Sequence, residues 1–211
     1  MKSILSSSLL LISLMLHATP SWAYLSVGES GEIKKVGSNQ IGVEPQILGN
    51  EGGGVNIGTF LDIPLQDDVS TRFSLGAGKI DFHAGAAVKW IPFPDIDQQP
   101  AMGLKAAAWY ARQSNLNVWT FQVAPLFSKK FDSEVGLFTP YAAIPVNFSS
   151  STEKSVTGTQ FAVGSELYAK DVTNMHFSAE LALNLKDSYS FISGSVVFPF
   201  DTEKGFQFRG R

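Results

Sequence analysis

Residues 191–200 read FISGSVVFPF, and the direction in which this strand faces decides the fold. Every second residue gives an apolar face, formed by Ile192, Gly194, Val196, Phe198 and Phe200. Between them lie Ser193 and Ser195, which make the other face small and polar. An alternation of period two is typical of a β-strand between two different environments. The stretch therefore belongs either to a soluble β domain, with the apolar face inward, or to a barrel wall, with that face in lipid.

The same alternation recurs along the chain at regular spacing, while helical periodicity is almost absent. Turn residues separate the repeats, as in GNEGGG at 49–54 and PFPDIDQQP at 92–100. The predicted strands are 40–49, 54–65, 70–78, 80–91, 101–112, 116–128, 136–148, 157–170, 174–185 and 189–200. The pattern thus predicts ten strands, with eight as the alternative, because the break at 78–80 is weakly marked.

Composition limits the possible functions. The chain has 211 residues, enough for one domain, and contains no cysteine, which excludes disulfides and thiolate metal sites. Only 17% of its residues are charged, below the ~25% typical of soluble domains. With 16 basic against 19 acidic residues and no basic run, it offers no surface for nucleic acid.

The first 23 residues resemble a Sec-type signal peptide. Lys2 gives a positive start, residues 4–16 form a short apolar stretch, and Ser21, Trp22 and Ala23 form a small-x-small cleavage site. We expect cleavage near Ala23, followed by a flexible lead-in over 24–38. Beyond residue 23, no apolar run approaches the ~20 residues of a membrane helix.

Three features favour the barrel in lipid. The less apolar face is rich in Gly, Ala and Ser rather than in the Lys, Glu and Thr of water-facing strands. The strands have the length needed to cross a bilayer at a tilt. Aromatic residues lie towards the ends of the apolar faces, as in membrane barrels: Trp90, Tyr110, Trp119, Phe127, Phe138, Phe148, Phe198 and Phe200.

The signal peptide, the short amphipathic strands and the final IxGxVxFxF resemble the small outer-membrane β-barrel proteins of Gram-negative bacteria, a porin-like class. The resemblance covers residues 39–200 and implies an all-β fold, a single antiparallel transmembrane barrel, with outer-membrane lipids and the barrel-assembly machinery as partners. In this class the assembly signal closes the chain. Here Phe200 is followed by residues 201–211, which we expect to be a periplasmic tail, with a further short strand segment at FQF, residues 206–208, as the alternative.

Projecting the alternation inward predicts a network of charged and titratable groups in the lumen: Glu44, Asp62, Arg72, Asp81, His83, Lys89, Lys105, Glu166, His176 and Glu180. Acids and bases nearly match, which favours a lumen sealed by ion pairs; a narrow polar path is the alternative. Asp81 beside His83, and His176 with Glu180, fall short of a catalytic or metal-binding constellation. We therefore expect no enzyme, cofactor or metal.

Small residues gather at one place on the lipid side, where two neighbouring strands carry Ala84, Ala86, Ala106 and Ala108. Small residues let membrane proteins approach closely, so this patch predicts a homo-oligomer contact, with simple tolerance of lipid as the alternative. The expected function is a non-catalytic, porin-like or structural envelope protein. The alternatives are a lipid-modifying or proteolytic barrel enzyme and a soluble secreted barrel that binds an apolar ligand.

Overall fold

Nearly all of the described chain is β structure. The computed structural model describes residues 25–49, 53–172 and 174–206, and in these ranges no helix has the length and hydropathy of a membrane span. The predicted signal peptide 1–23 and residues 207–211 of the predicted tail lie outside them. The strands are β1 (Ser38–Leu48), β2 (Gly54–Pro64), β3 (Val69–Gly78), β4 (Phe82–Phe93), β5 (Ala101–Gln113), β6 (Leu116–Ser128), β7 (Phe131–Asp132), β8 (Gly136–Ala143), β9 (Val146–Ser151), β10 (Ser155–Ala169), β11 (His176–Lys186) and β12 (Phe191–Asp201).

The sheet closes on itself. Each strand pairs antiparallel with its neighbours, and β12 returns to β1 in a register that runs from Ser38 opposite Asp201 to Leu48 opposite Phe191. Strands β8 and β9 both lie between β6 and β10 and form one interrupted wall strand. The interruption falls at Pro145, which has no N–H to give to a ladder. The barrel therefore has ten wall strands, as predicted, and β7 is a short hairpin arm on β8.

The two ends of the barrel differ in their connections. At one end the chain passes from β1 to β2 and forms the short turns 79–81, 114–115, 152–154 and 187–190, and we call this the tight-turn end. The other end, the terminal end, carries the start of β1, the end of β12, and the connections that follow β2 (65–68), β4 (94–100), β6 (129–135) and β10. An even number of strands brings both ends of the barrel domain to the same side.

Side chains alternate between the lumen and the exterior along every wall strand. In β12, Ser193 and Ser195 are buried inside while Ile192 is 53% exposed outside. The exterior is a continuous apolar surface that includes Ile57, Phe73, Leu75, Val88, Trp90, Leu104, Trp119, Phe121, Phe127, Phe148 and Leu185. In water, so much exposed apolar area would be unfavourable at about 25 cal/mol per Å². Such an exterior suits lipid.

Prediction and structure differ at the turn between β3 and β4. The predicted strand 80–91 placed Ile80 on the lipid side and Asp81 in the lumen. Instead, the strand begins at Phe82, Ile80 is fully buried in the interior, and Asp81 is exposed. The Ile80 N–H donates to Oδ1 of Asn56 at 3.0 Å. The alternation does not continue through a turn, because the turn resets which way each side chain points.

Candidate functional site

The interior has one basic and one acidic wall. Arg72, Lys89 and Lys105 project from the adjacent strands β3, β4 and β5, and all three are buried. Glu166 and Glu180 project from the adjacent strands β10 and β11 and are equally buried. Apart from Asp62 of β2, which pairs with Arg72, opposite charges thus lie on separate groups of strands, and charges at such depth need partners.

Those partners come from the N-terminal segment, residues 25–35, which lies inside the barrel. The prediction of a flexible lead-in over 24–38 is therefore wrong for these residues. Val27 and Ser30 are fully buried, and Leu25 and Glu29 nearly so. The segment runs from the interior out to the terminal end, where the chain turns back into β1. We call residues 25–35 the plug.

Glu29 of the plug faces the basic wall. Its carboxylate lies 2.8 Å from Nζ of Lys89, 2.8 Å from Nζ of Lys105 and 3.8 Å from Nε of Arg72. The guanidinium of Arg72 is also held by Asp62, whose two oxygens accept bonds at 2.6 and 2.7 Å. One carboxylate of the plug thus joins three wall cations into a single cluster, and a second carboxylate from the wall completes it.

The backbone of the plug is bonded to both walls. Glu180 accepts the N–H groups of Val27 and Gly28 at 3.0 and 2.7 Å, and Glu166 accepts that of Ser30 at 2.6 Å. The carbonyl oxygens accept from the wall: Leu25 from Gln122, Val27 from Lys105, Gly28 from Arg72, and Ser30 and Glu32 from Lys89. A buried backbone outside a sheet has to find such partners, and here the charged walls supply them.

Glycines make room for the plug and for large rings beside it. Gly28 has φ +63°, and a Cβ there would lie 2.8 Å from the Arg72 guanidinium. On the wall, a Cβ at Gly42 would collide with the ring of Phe60, over which Arg72 stacks at 3.9 Å. The small residues of the inner face therefore serve packing, because each admits a neighbour that a larger residue would displace.

Gly164 has the same role for Tyr141. A Cβ at Gly164 would collide with the Tyr141 ring, whose hydroxyl donates to Glu180 at 2.8 Å. Tyr141 is buried beside a carboxylate that also holds the plug. Gly164 thus leaves the space that the Tyr141 ring needs to reach Glu180 on the acidic wall.

The remaining predicted lumen residues have separate surroundings. His83 lies inside near Trp109, with 6.2 Å between ring centroids, and His176 stacks on Tyr168 at 4.2 Å. Glu44 is half-buried inside the tight-turn half of the lumen. Asp81 is not part of the network, since its carboxylate accepts the Ser114 N–H in a neighbouring turn at 2.6 Å.

Among the described residues, the two predicted pairs of a histidine with an acid, Asp81 with His83 and His176 with Glu180, do not form a catalytic pair. Asp81 and His83, adjacent in the predicted strand, are not brought together, because Asp81 is exposed in the turn before β4 while His83 is buried inside the barrel. Glu180 is occupied by the plug backbone and by Tyr141. Within the described ranges, no three His, Asp or Glu side chains are placed to hold a metal ion.

The predicted alanine patch lies on the exterior. Ala86 pairs with Ala108 across β4 and β5, while Ala84 and Ala106 continue the patch along the two strands. Phe73 and Leu75 of β3 lie on one side of it and Phe121 and Val123 of β6 on the other. The result is a shallow depression in an otherwise bulky apolar wall.

The terminal end is fastened by side chains of its loops. Asp95 accepts from Nζ of Lys129 at 2.5 Å and from the backbone N–H of Lys130 at 2.6 Å. Burial acts to raise the pKa of Asp95, but these hydrogen bonds and the nearby lysines outweigh it and hold that pKa below its usual value. The loops 94–100 and 129–135 are thereby tied together beside the plug exit.

β12 and the start of the tail form a small closing turn. Asp201 ends the strand opposite Ser38, and its backbone pairs with Gly205. The ring of Phe206 lies 5.2 Å from that of Phe200. The predicted periplasmic tail 201–211 thus begins as a turn folded against the last strand.

The closed ten-stranded sheet, the apolar exterior and the polar, filled interior define a transmembrane β-barrel. No protein-family model and no curated protein sequence matches the chain. Solved structures similar to it include a de novo designed transmembrane β-barrel, 11% identical over 80% of this chain and 99% of that chain, with a TM-score of 0.41. The translocator domain of the autotransporter NalP from Neisseria meningitidis is 10% identical over 84% of this chain and 91% of that chain, with a TM-score of 0.49.

A third similar structure is Ail, the attachment invasion locus protein of Yersinia pestis, solved with the heparin analogue sucrose octasulfate. It is 11% identical over 77% of this chain and 97% of that chain, with a TM-score of 0.27. Since all three TM-scores are below 0.5, the assignment to the class rests on the chain's own closure and exterior.

Proposed function

We propose that the protein is a non-catalytic outer-membrane barrel whose lumen is closed by its own plug, so that it serves the envelope as a structural protein rather than as an open porin. The observation that carries this proposal is the Glu29 cluster, in which one plug carboxylate is bonded to two wall lysines and lies near the wall arginine. Displacing the plug would leave three buried cations with one wall carboxylate beside them. Removing one partner from such a buried network is strongly unfavourable.

The tight-turn end supports closure as well. Leu48, Ile80 and Phe191 are buried at that end and join the apolar cluster of the interior. These side chains pack beside buried polar groups such as Gln46 and Asn56, and together with the bonded plug towards the terminal end they leave little open path between the two mouths. The exterior apolar surface supports a location in the outer membrane, after export and signal removal, over a soluble secreted barrel that would bury its apolar face.

The test combines location with conductance. The full-length protein should fractionate with outer membranes, migrate differently on gels when unboiled, and remain silent in planar bilayers at low voltage. Insertion is verified independently by the unboiled gel mobility of protein recovered from the same membranes. Steady conductance by the wild-type protein would contradict the closed lumen, and recovery in the soluble periplasmic fraction would contradict the location. Turnover of phospholipid or lipid A, lost in His83→Ala, would instead indicate an enzyme.

The alanine patch supports assembly into a homo-oligomer through β4 and β5. Its depression would admit the wall of a second copy closely, and packing is what drives association in lipid. Replacing Ala86 and Ala106 with Trp should convert the oligomer to monomers on native gels in mild detergent. Unchanged migration of this double variant would contradict the proposal that the alanine patch is the contact between copies.

A further inference from the structure

The interior of the barrel holds the plug mainly through the plug's backbone. Carboxylates of the acidic wall accept its N–H groups, and cations of the basic wall donate to its carbonyl oxygens. Ser128 of β6 adds an uncharged acceptor, since its Oγ accepts the Gly31 N–H at 2.9 Å. Every residue except proline carries both backbone groups, whatever its side chain. The interior is therefore suited to an extended peptide in general, and hydrogen bonds to charged wall groups are the strong kind.

The side chains of the plug add a short sequence requirement. Glu29 places its charge among the cations of the basic wall, and Val27 is fully buried in the apolar cluster of the interior. A Cβ at Gly28 would lie 2.8 Å from a wall guanidinium, and one at Gly31 would lie 2.8 Å from a wall hydroxyl. Gly28 also has φ +63°, which favours glycine. The requirement is thus valine, glycine and an acid in sequence, with a second glycine two residues after the acid.

The plug is held less firmly where it leaves the barrel. Glu32 pairs with Lys130 at 2.9 Å, but the lysine side chain is 39% exposed, so the pair contributes little. Val36 is 61% exposed, and a Cβ at Gly37, which has φ +91°, would meet nothing within 4 Å. A cut in this connection would separate the plug from the wall without touching a wall strand, since β1 begins at Ser38.

We propose that the interior is a peptide-binding site and that the plug is the ligand that it carries within its own chain. The partner that fits is an extended segment of another polypeptide with the same order of valine, glycine and acid. The tethered plug competes with such a segment at an effective concentration of the order of millimolar. The barrel therefore takes up a partner only when the plug leaves. This inference rests on the proposed function in one respect, that the plug fills the lumen, and it adds what can replace the plug.

The experiment exchanges the plug for a free peptide. A recognition site for a specific protease is inserted after Val36 in the full chain carrying Glu29→Gln, and the chain is cut after it has folded in mild detergent. A fluorescent peptide of residues 25–35 with the wild-type Glu29 is then added. Fluorescence anisotropy measures its binding, and mass spectrometry of the recovered barrel measures loss of the cut segment. The peptide should bind saturably and displace that segment, whereas the uncut chain should bind it roughly tenfold more weakly or less, because its tethered plug competes.

Three altered peptides test the contacts. Glu29→Gln in the peptide should weaken binding roughly 100-fold, because it removes a carboxylate from a buried charge network. Its matched control is Glu32→Gln, the same change at the half-exposed exit pair, which should weaken binding by less than about fivefold. Gly28→Ala should weaken binding roughly tenfold, since alanine is strained at φ +63° and its Cβ would meet the wall.

Each outcome decides for or against the peptide site. If the Glu29→Gln chain does not fold, the cut wild-type chain is exchanged with excess isotope-labelled peptide and measured in the same way. Absence of binding to a cut barrel that keeps its unboiled gel mobility would overturn the proposal. So would equal binding of the Glu29→Gln and Glu32→Gln peptides, or a cut plug that never exchanges. Conductance by the uncut wild-type protein would contradict the closed lumen but not peptide binding, so the two proposals fail separately.

Discussion

Replacing Glu29 with Gln tests whether the plug contributes to the free energy of unfolding of the barrel. Gln keeps the size and the hydrogen-bonding capacity of the side chain but removes its charge from among Lys89, Lys105 and Arg72. Removing one partner of a buried charge network costs about 3–5 kcal/mol. Asp62 continues to neutralise Arg72, so we expect a loss near the lower end of that range, about 3 kcal/mol in the free energy of unfolding.

The assay is urea unfolding in lipid vesicles, followed by tryptophan fluorescence. The matched control is Glu153→Gln, which makes the same chemical change in an exposed turn and should alter stability by no more than about 0.5 kcal/mol. A double-mutant cycle with Lys105→Met should give a coupling energy of roughly 0.5–3 kcal/mol, because the two residues are in direct contact.

Release of the plug without unfolding of the barrel is a separate outcome, and trypsin detects it. Lys35 is exposed where the plug leaves the lumen, and Lys34 packs over the ring of Tyr168. In Glu29→Gln, cleavage after Lys34 should accelerate while the unboiled barrel keeps its gel mobility. A Glu29→Gln protein as stable as the control, and cut no faster, would refute the argument that Glu29 holds the plug.

Three further predictions concern other parts of the molecule. Because the pKa of Asp95 is lowered in the folded protein, its bonds to Lys129 should stabilise the fold above a pH of about 4. This stabilisation is lost as the pH falls through the folded-state pKa. The difference in melting temperature between wild type and Asp95→Asn should therefore shrink from pH 7 to pH 3. Gly164→Ala should displace Tyr141 and cost roughly 1–3 kcal/mol in urea unfolding. Deletion of 202–211 should leave heat-modifiable folding intact, because β12 keeps its pairing with β1; loss of the folded form would make the tail part of the wall.

The wall could be predicted from the sequence because the residues of each strand alternate between those suited to lipid and those suited to the lumen. Period-two alternation predicts ten strands, and the same alternation predicts Arg72, Lys89 and Lys105 on the inner face, where the structure has them. Where a turn interrupts the alternation this reasoning fails. The predictions for Ile80 and Asp81 are wrong for that reason, since neither residue lies in the strand that begins at Phe82.

The sequence of the plug has no comparable periodic pattern. Its backbone pairs with side chains of the wall rather than with a neighbouring strand, so its residues have no reason to alternate or repeat. The one indication was indirect: three basic residues on adjacent strands face the interior without a neighbouring acid for Lys89 or Lys105 on the same wall. A carboxylate from elsewhere was required, and the short segment before β1, which carries Glu29, could have been searched for it.

The number of strands in the wall and the presence of the plug in the lumen depend on each other. A barrel of about eight strands has an interior that side chains alone can fill, and each added strand widens it. With ten strands, the cations of β3–β5 and the acids of β10 and β11 need a spacer between them, because unsatisfied buried charges are costly. An extended chain is the narrowest such spacer, and its N–H and C=O groups point to opposite sides, the first towards carboxylates and the second towards lysines. At Gly28 the absence of a side chain leaves room for the guanidinium of Arg72, which donates to the Gly28 carbonyl at 3.2 Å. A ten-stranded wall with this charge pattern is therefore complete only with the plug inside.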